Sequence, residues 1–312
     1  MKEFIEKITR PSRKWSDQVI IAVALSIIVG LVLGTIFAEA LFKLTNISSV
    51  LEKFLKSDNL VAFFSDYLMF IGIWIAVFLA IVIFKYNRPM LKAWGYNKDW
   101  NNLKGALLGA ALGFGTNGFC VLMSVLMGDI KLSYYGFKPA ILLAFLVAVF
   151  IQSAAEEIVD RLYLYQKLRR RYKSPLVAIL VNAIVFMALH VINPGFTAVA
   201  GSQILLVGII FSVFVYYYNG LWIAMWFHAL WNFTQNIIFG LPNSGIVSEY
   251  SIFKLEAASA ESGFFYDVGF GVEGSIGASV VLVVVLIVLI VINKGKPEKR
   301  DYWAEASPVE KQ

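Results

Sequence analysis

Eight stretches of mostly apolar sequence, each close to the length that crosses a bilayer, dominate this chain. They run at roughly 19–38, 60–84, 105–127, 139–165, 175–192, 197–218, 220–240 and 275–292. About 20 apolar residues of α-helix, within a range of about 17–25, span the hydrocarbon core. In lipid the backbone polar groups must be satisfied inside the segment itself, so runs of this kind form helices. The predicted fold is therefore all-α, a polytopic transmembrane helix bundle of about eight helices.

Composition agrees. The 312 residues are 59% hydrophobic and 15% charged, with a mean hydropathy of +0.72. Soluble domains run near 45–50% apolar and about 25% charged. The first run is about 20 residues, longer than the about 7–15 of a signal-peptide core. It is expected to stay as the first helix, although Ala38-Glu39-Ala40 resembles a small-residue cleavage site. The single cysteine, Cys120, lies in an apolar span and cannot form an internal disulfide.

The net charge of +6 does not point to nucleic acid, because the basic residues sit in short runs beside apolar spans. Lys and Arg concentrate in cytoplasmic loops. Four such regions occur: the arm with Lys2, Lys7, Arg10, Arg13 and Lys14; the loop 85–104; the stretch after the fourth span with Lys167, Arg169, Arg170, Arg171 and Lys173; and the tail with Lys294, Lys296, Lys299, Arg300 and Lys311. Eight spans put all four on one side. The opposite loops hold fewer basic residues: three in 39–59, two in 128–138 and one in 241–274. Both termini are thus expected to be cytoplasmic. The expected organisation is a basic arm at 1–18, one transmembrane domain at 19–292 and a tail at 293–312. Within the domain, 139–240 is the candidate functional core, and 241–274 is an external loop carrying Glu249, Glu256, Glu261, Asp267 and Glu273. No repeat, low-complexity tract or soluble domain is visible. The expected location is multi-pass in the cell (plasma) membrane, with the lipid bilayer as a partner and no nucleic acid.

Gly105, Gly109 and Gly113 repeat at a spacing of four in the third span. Such a stripe of small residues lets another helix approach closely, a packing role. Tyr216, Tyr217 and Tyr218 end the sixth span as an interfacial belt.

An ionisable side chain near the centre of a membrane helix costs about 2.5–3.5 kcal/mol on insertion scales. Three places carry such groups. In Glu156-Glu157-Ile158-Val159-Asp160-Arg161, Glu157 and Arg161 share a helix face and can pair. Glu156 points about 100° away and is left free, although Asp160, one turn on, repels it. His190 follows Phe186 late in the fifth span. His228 and Asn232 stand one turn apart in the seventh. Taken singly, these read equally as a helix end leaving the membrane, a packing histidine and an interhelical hydrogen-bonding pair. Taken together they differ, because both histidines of the chain lie in predicted spans. Glu156, His190, His228 and Asn232 can meet in one cavity, and the set suits hydrolysis. A carboxylate and an imidazole polarise water, while a second imidazole and a carboxamide donate to an oxyanion. Two histidines and a glutamate also suit a divalent metal, although the HExxH signature is absent.

The three segments in this order, Glu156-Glu157-x-x-x-Arg161, Phe186-x-x-x-His190 and His228-x-x-x-Asn232, resemble the CPBP family of CAAX proteases and bacteriocin-processing enzymes. That family includes the type II CAAX prenyl endopeptidases. The resemblance covers about 139–240. It implies an intramembrane endopeptidase acting on a membrane peptide or lipidated protein near the cytoplasmic leaflet, whether prenylated, bacteriocin or signalling. It implies that Glu156 activates water with His190, that His228 and Asn232 stabilise the oxyanion, and that Glu157 and Arg161 form a supporting ion pair. Its cofactor is either a divalent metal such as zinc, held by Glu156, His190 and His228, or none. The chain departs from the family pattern at Asp160, often aromatic, and at Leu162, often glycine. Those departures keep open a non-catalytic scaffold or immunity protein. A transporter or proton relay is the third reading, without the internal repeat that commonly accompanies it. His190 lies about 15 residues past Pro175, or about 22 Å along a helix. It should therefore sit deeper than Glu156 and His228 unless tilt brings them level.

Overall fold

The computed structural model describes residues 2–304. Lys311, counted in the basic tail, lies outside the described residues. All eight predicted spans are helical. Helix α1 (Val19–Thr45) contains a π-helical turn at Ile28–Leu33 and ends on Asn46 in the left-handed conformation. The short α2 (Ile47–Leu55) leads to α3 (Asp58–Ile83), whose Ser57 cap accepts the Leu60 N–H. Helix α4 (Leu103–Met127) is capped by Asn102, and α5 (Pro139–Arg171) starts with proline in its first turn. Helices α6 (Pro175–Leu189), α7 (Ala198–Tyr218) and α8 (Leu221–Asn232) follow, α8 running on through a π-helical turn at Phe233–Ile238. Ser275 caps α9 (Ile276–Ile292).

Five of these helices, α1, α3, α4, α5 and α7, are long and apolar enough to cross a membrane on their own, and α6 and α9 are shorter apolar helices. Val280, Val284, Ile287 and Val291 on α9 and Ile20, Leu31 and Val32 on α1 are exposed. Continuous apolar faces of this extent are not left to water. The chain is a polytopic helical membrane bundle.

The loops segregate as an even number of passes requires. At one end, Thr9 bridges Tyr172, Arg10 pairs with Asp301, Asn97 donates to the Asn219 carbonyl and Arg300 pairs with Asp99 at 3.1 Å. The arm, the 85–104 loop, the α5–α6 and α7–α8 turns and the tail therefore meet there. At the other end, β1 (Leu132–Tyr134) pairs antiparallel with β2 (Phe253–Leu255), and Asn59 donates to Glu249.

Two predicted boundaries need correction. The fourth span does not end near 165. Helix α5 continues to Arg171, and Lys167, Arg169 and Arg170 are buried rather than in a loop. The reason is pairing. Lys167 lies 3.1 Å from Asp17, Arg170 donates twice to Asp17 at 2.6 Å, and Arg169 donates to Glu298. Buried charges persist when matched in this way. The fifth span ends at Leu189 rather than 192, with His190 as its cap residue.

Candidate active site

Helix α8 is seated by the glycine stripe. A Cβ at Gly109 would collide with the Ile223 carbonyl oxygen, and one at Gly113 with that of Phe227. Backbone contact between α4 and α8 fixes the height of His228 and Asn232, which turn toward α5. There the α-helix ends at Glu157 and a π-helical turn (Ile158–Leu164) begins, an irregularity that recurs at functional sites. Asn182 of α6 donates to the Asp160 carbonyl oxygen at 2.6 Å and ties that helix to the turn.

Glu157 and Arg161 are paired at 3.2 Å, and neither side chain is exposed. The guanidinium also donates to the Gly208 carbonyl and stacks 4.4 Å from the Phe186 ring centroid. Asp160, expected to repel Glu156, lies 3.6 Å from Arg161. Leu162 is fully buried in the core. The same Glu157 Oε1 lies 3.0 Å from Nδ1 of His228. A carboxylate can only accept, so that nitrogen carries the proton and Nε2 faces the cavity. Nε2 lies 3.8 Å from Oε2 of Glu156. Glu156 receives a hydrogen bond from Gln152 on Oε1, while its buried Oε2 has no partner. A gap of that size between two polar groups is one a water can bridge.

His190 is oriented likewise. Its Nδ1 lies 2.7 Å from the Phe186 carbonyl oxygen, so its Nε2 is free. No hydrogen bond or ion pair joins it to Glu156 or His228 among the described residues, but all three line one cavity of about 440 Å³. Depth is not the obstacle expected. Glu156 and His190 lie equally far in sequence from the α5–α6 turn, because α5 extends to Arg171. Asn232 also lines the cavity. Its amide donates to Ser153 Oγ at 3.1 Å and to Gln152 Oε1 at 3.5 Å.

Several lining residues were not singled out by the sequence pattern. Gln152, with the buried Ser153 behind it as a partner of Asn232, stands about one turn before Glu156, a polar signal inside an apolar span. Asn243, Ser244 and Glu273 come from the outer loop, which folds back onto the bundle. Glu273, read as one of five external acids, is buried and accepts from Trp231, Asn243 and Ser244. Burial pushes its carboxyl up from the usual range, and those hydrogen bonds oppose the shift. Its place between two glycines just before an apolar span was the available hint.

A catalytic zinc takes three protein ligands around one point. Among the described residues no three His, Cys, Asp or Glu side chains converge in that way. The Glu156, His190 and His228 side chains as arranged do not form such a cage, so no step is derived through a metal.

Ile27 and Leu31 of α1, Leu189 at the end of α6 and Ile192 just past it line the cavity and are also exposed on the apolar outer surface of the bundle. The cavity therefore borders the bilayer. Comparison with curated proteins and with solved structures gave no match. Residues 138–234 match the family described as type II CAAX prenyl endopeptidase Rce1-like. That stretch holds all three motifs and supports the resemblance to the CPBP family of CAAX proteases.

Proposed function

We propose that the chain is an intramembrane endopeptidase that hydrolyses a peptide bond of a membrane-associated peptide near the cytoplasmic leaflet, without a metal step. The observation that carries this reading is the unpartnered Oε2 of Glu156, facing Nε2 of His228 across 3.8 Å inside a cavity bordering lipid. Glu156 takes a proton from water as the water oxygen adds to the scissile carbonyl carbon, and His190 holds the same water through its free Nε2. The carbonyl oxygen becomes an oxyanion. His228, charged and backed by Glu157, donates to it from Nε2, and Asn232 supplies the second donor by releasing its longer contact with Gln152. Collapse breaks the C–N bond, and Glu156 passes its proton to the departing amine. Arg161 holds Glu157 in place.

The substrate class is a lipidated or unlipidated peptide reached from the bilayer, prenylated, bacteriocin or signalling. The basic end of the bundle, with both termini, faces the cytoplasm, and the host membrane is the plasma membrane. Asp160, the departure that raised a non-cleaving scaffold, lies 3.6 Å from Arg161, while Glu156 makes its own contact with Gln152. The test is cleavage of a panel of lipidated and unlipidated peptides by purified protein, with His190→Ala and His228→Ala beside wild type. Loss of cleavage in both variants is expected. Full cleavage by His228→Ala contradicts the mechanism.

A further inference from the structure

The outer loop reaches the site through a chain of side-chain amides. Asn243 Nδ2 donates to Glu273 Oε1 at 2.9 Å and to Asn232 Oδ1 at 3.1 Å. Asn232 Nδ2 donates to Gln152 Oε1, and Gln152 Nε2 donates to Glu156 Oε1. Every link from Asn243 to Glu156 runs in one direction, nitrogen toward oxygen. Glu273 is the fixed end. Its Oε1 also accepts from Trp231 Nε1 at 3.0 Å, and its Oε2 accepts from Ser244 N at 2.7 Å and Oγ at 3.1 Å. Ser244 is held at φ 48°, a left-handed conformation that a serine rarely adopts. Backbone strain of this kind persists where the surroundings over-determine it, and here Glu273 takes both Ser244 donors.

A carboxamide has two nearly isosteric ends, so packing alone does not tell a flipped Asn232 from a correct one. A donor placed on its oxygen does. We propose that Asn243, anchored by Glu273, is a positioning residue of the site: it holds the Asn232 carboxamide with its nitrogen toward the oxyanion and its oxygen away. This rests on the peptidase reading above and makes the external loop a working part of it. Asn243→Asp keeps the shape but replaces the donor with an acceptor. Asn232 then turns its nitrogen toward the loop, and the link to Gln152 is lost.

The test is a double-mutant cycle of Asn243→Asp and Asn232→Ala in full-length protein, with two readouts. The first is kcat and KM on a cleaved peptide. Asn243→Asp is expected to lower kcat on the order of 100-fold, the size of losing one oxyanion donor, with KM unchanged. It should have no further effect in the Asn232→Ala background. An equal kcat loss in both backgrounds, or a change in KM alone, overturns the proposal. The second readout is thermal unfolding of the same four proteins, which needs no activity. Non-additive midpoints are expected for coupled neighbours, and additive midpoints overturn the proposal. Coupled midpoints in a protein that cleaves no peptide would remove the peptidase reading while leaving the Asn243–Asn232 link in place.

Discussion

Replacing Arg161 with leucine is expected to destabilise the bundle more than any other single change at the site. The guanidinium is fully buried, 3.2 Å from Glu157 and 3.6 Å from Asp160. Removing one member of a buried ion pair costs about 3–5 kcal/mol, because the remaining charge is left without its partner. Here two carboxylates lose it, and contacts with the Phe186 and Phe211 rings go too; a desolvated cation–π contact is worth about 2 kcal/mol. The Gly208 carbonyl adds little, since Ser212 Oγ also donates to it. Leucine returns some apolar burial, so the expected net loss is about 4 kcal/mol. Glu157→Gln alone should cost less, since Arg161 keeps Asp160. In the double variant the uncompensated Glu157 charge disappears, and the total should fall short of the sum by at least about 1 kcal/mol. Reversible unfolding in mixed micelles with graded denaturing detergent measures all three. A loss below about 1 kcal/mol for Arg161→Leu, or strictly additive values, would refute the claim that this pair organises the site.

Four further outcomes are expected. Gly109→Leu should push α8 off α4, lowering stability by about 1–3 kcal/mol and displacing His228, so cleavage falls with it; unchanged unfolding and activity would show that the helices do not meet there. Arg170→Ala leaves Asp17 buried with Lys167 alone, and should lower stability by about 3–5 kcal/mol in the same assay, although it lies at the far end from the outer loop. Burial pulls the Asp99 carboxyl up, but hydrogen bonds from Arg300 and Asn219 bring it net below its usual value. Its link to the tail is therefore present above about pH 4 and lost as pH falls through the lowered value. Asp99→Asn should speed proteolytic trimming of the tail at neutral pH to the rate that wild type reaches only in acid. Exhaustive chelation should leave cleavage unchanged, and activity lost to chelator and restored by zinc would overturn the metal-free mechanism.

The helices were legible because lipid imposes one rule on every span, and the eight apolar runs each map onto a helix, five of them long and apolar enough to cross a membrane on their own. Their ends were less so. Reading Lys167, Arg169 and Arg170 as a loop assumed that charges mark the membrane exit, whereas Asp17 and Glu298, more than a hundred residues away in sequence, hold them inside. The pairing of Glu157 with Arg161 followed from helical spacing and is present. The contact of Glu157 with His228 did not, because spacing within one helix says nothing of what a second helix brings opposite. The glycine stripe of α4 was readable as a packing face, but its partner, the helix carrying His228, was not. Least visible was the outer loop: Glu273 read as one of its external acids and Asn243 carried no signal, and only the chain's return over the bundle brings Asn243, held by Glu273, to Asn232.

The central claim, that Glu156 activates water for peptide cleavage, is met most directly by one comparison. Wild type and Glu156→Gln, reconstituted in lipid nanodiscs, are assayed against the same lipidated and unlipidated peptides. Glutamine keeps the shape and the contact with Gln152 but cannot take a proton. The account predicts product from wild type and a rate lower on the order of a hundredfold to ten-thousandfold in the variant, the range of a general base. Cleavage by Glu156→Gln at the wild-type rate would contradict it.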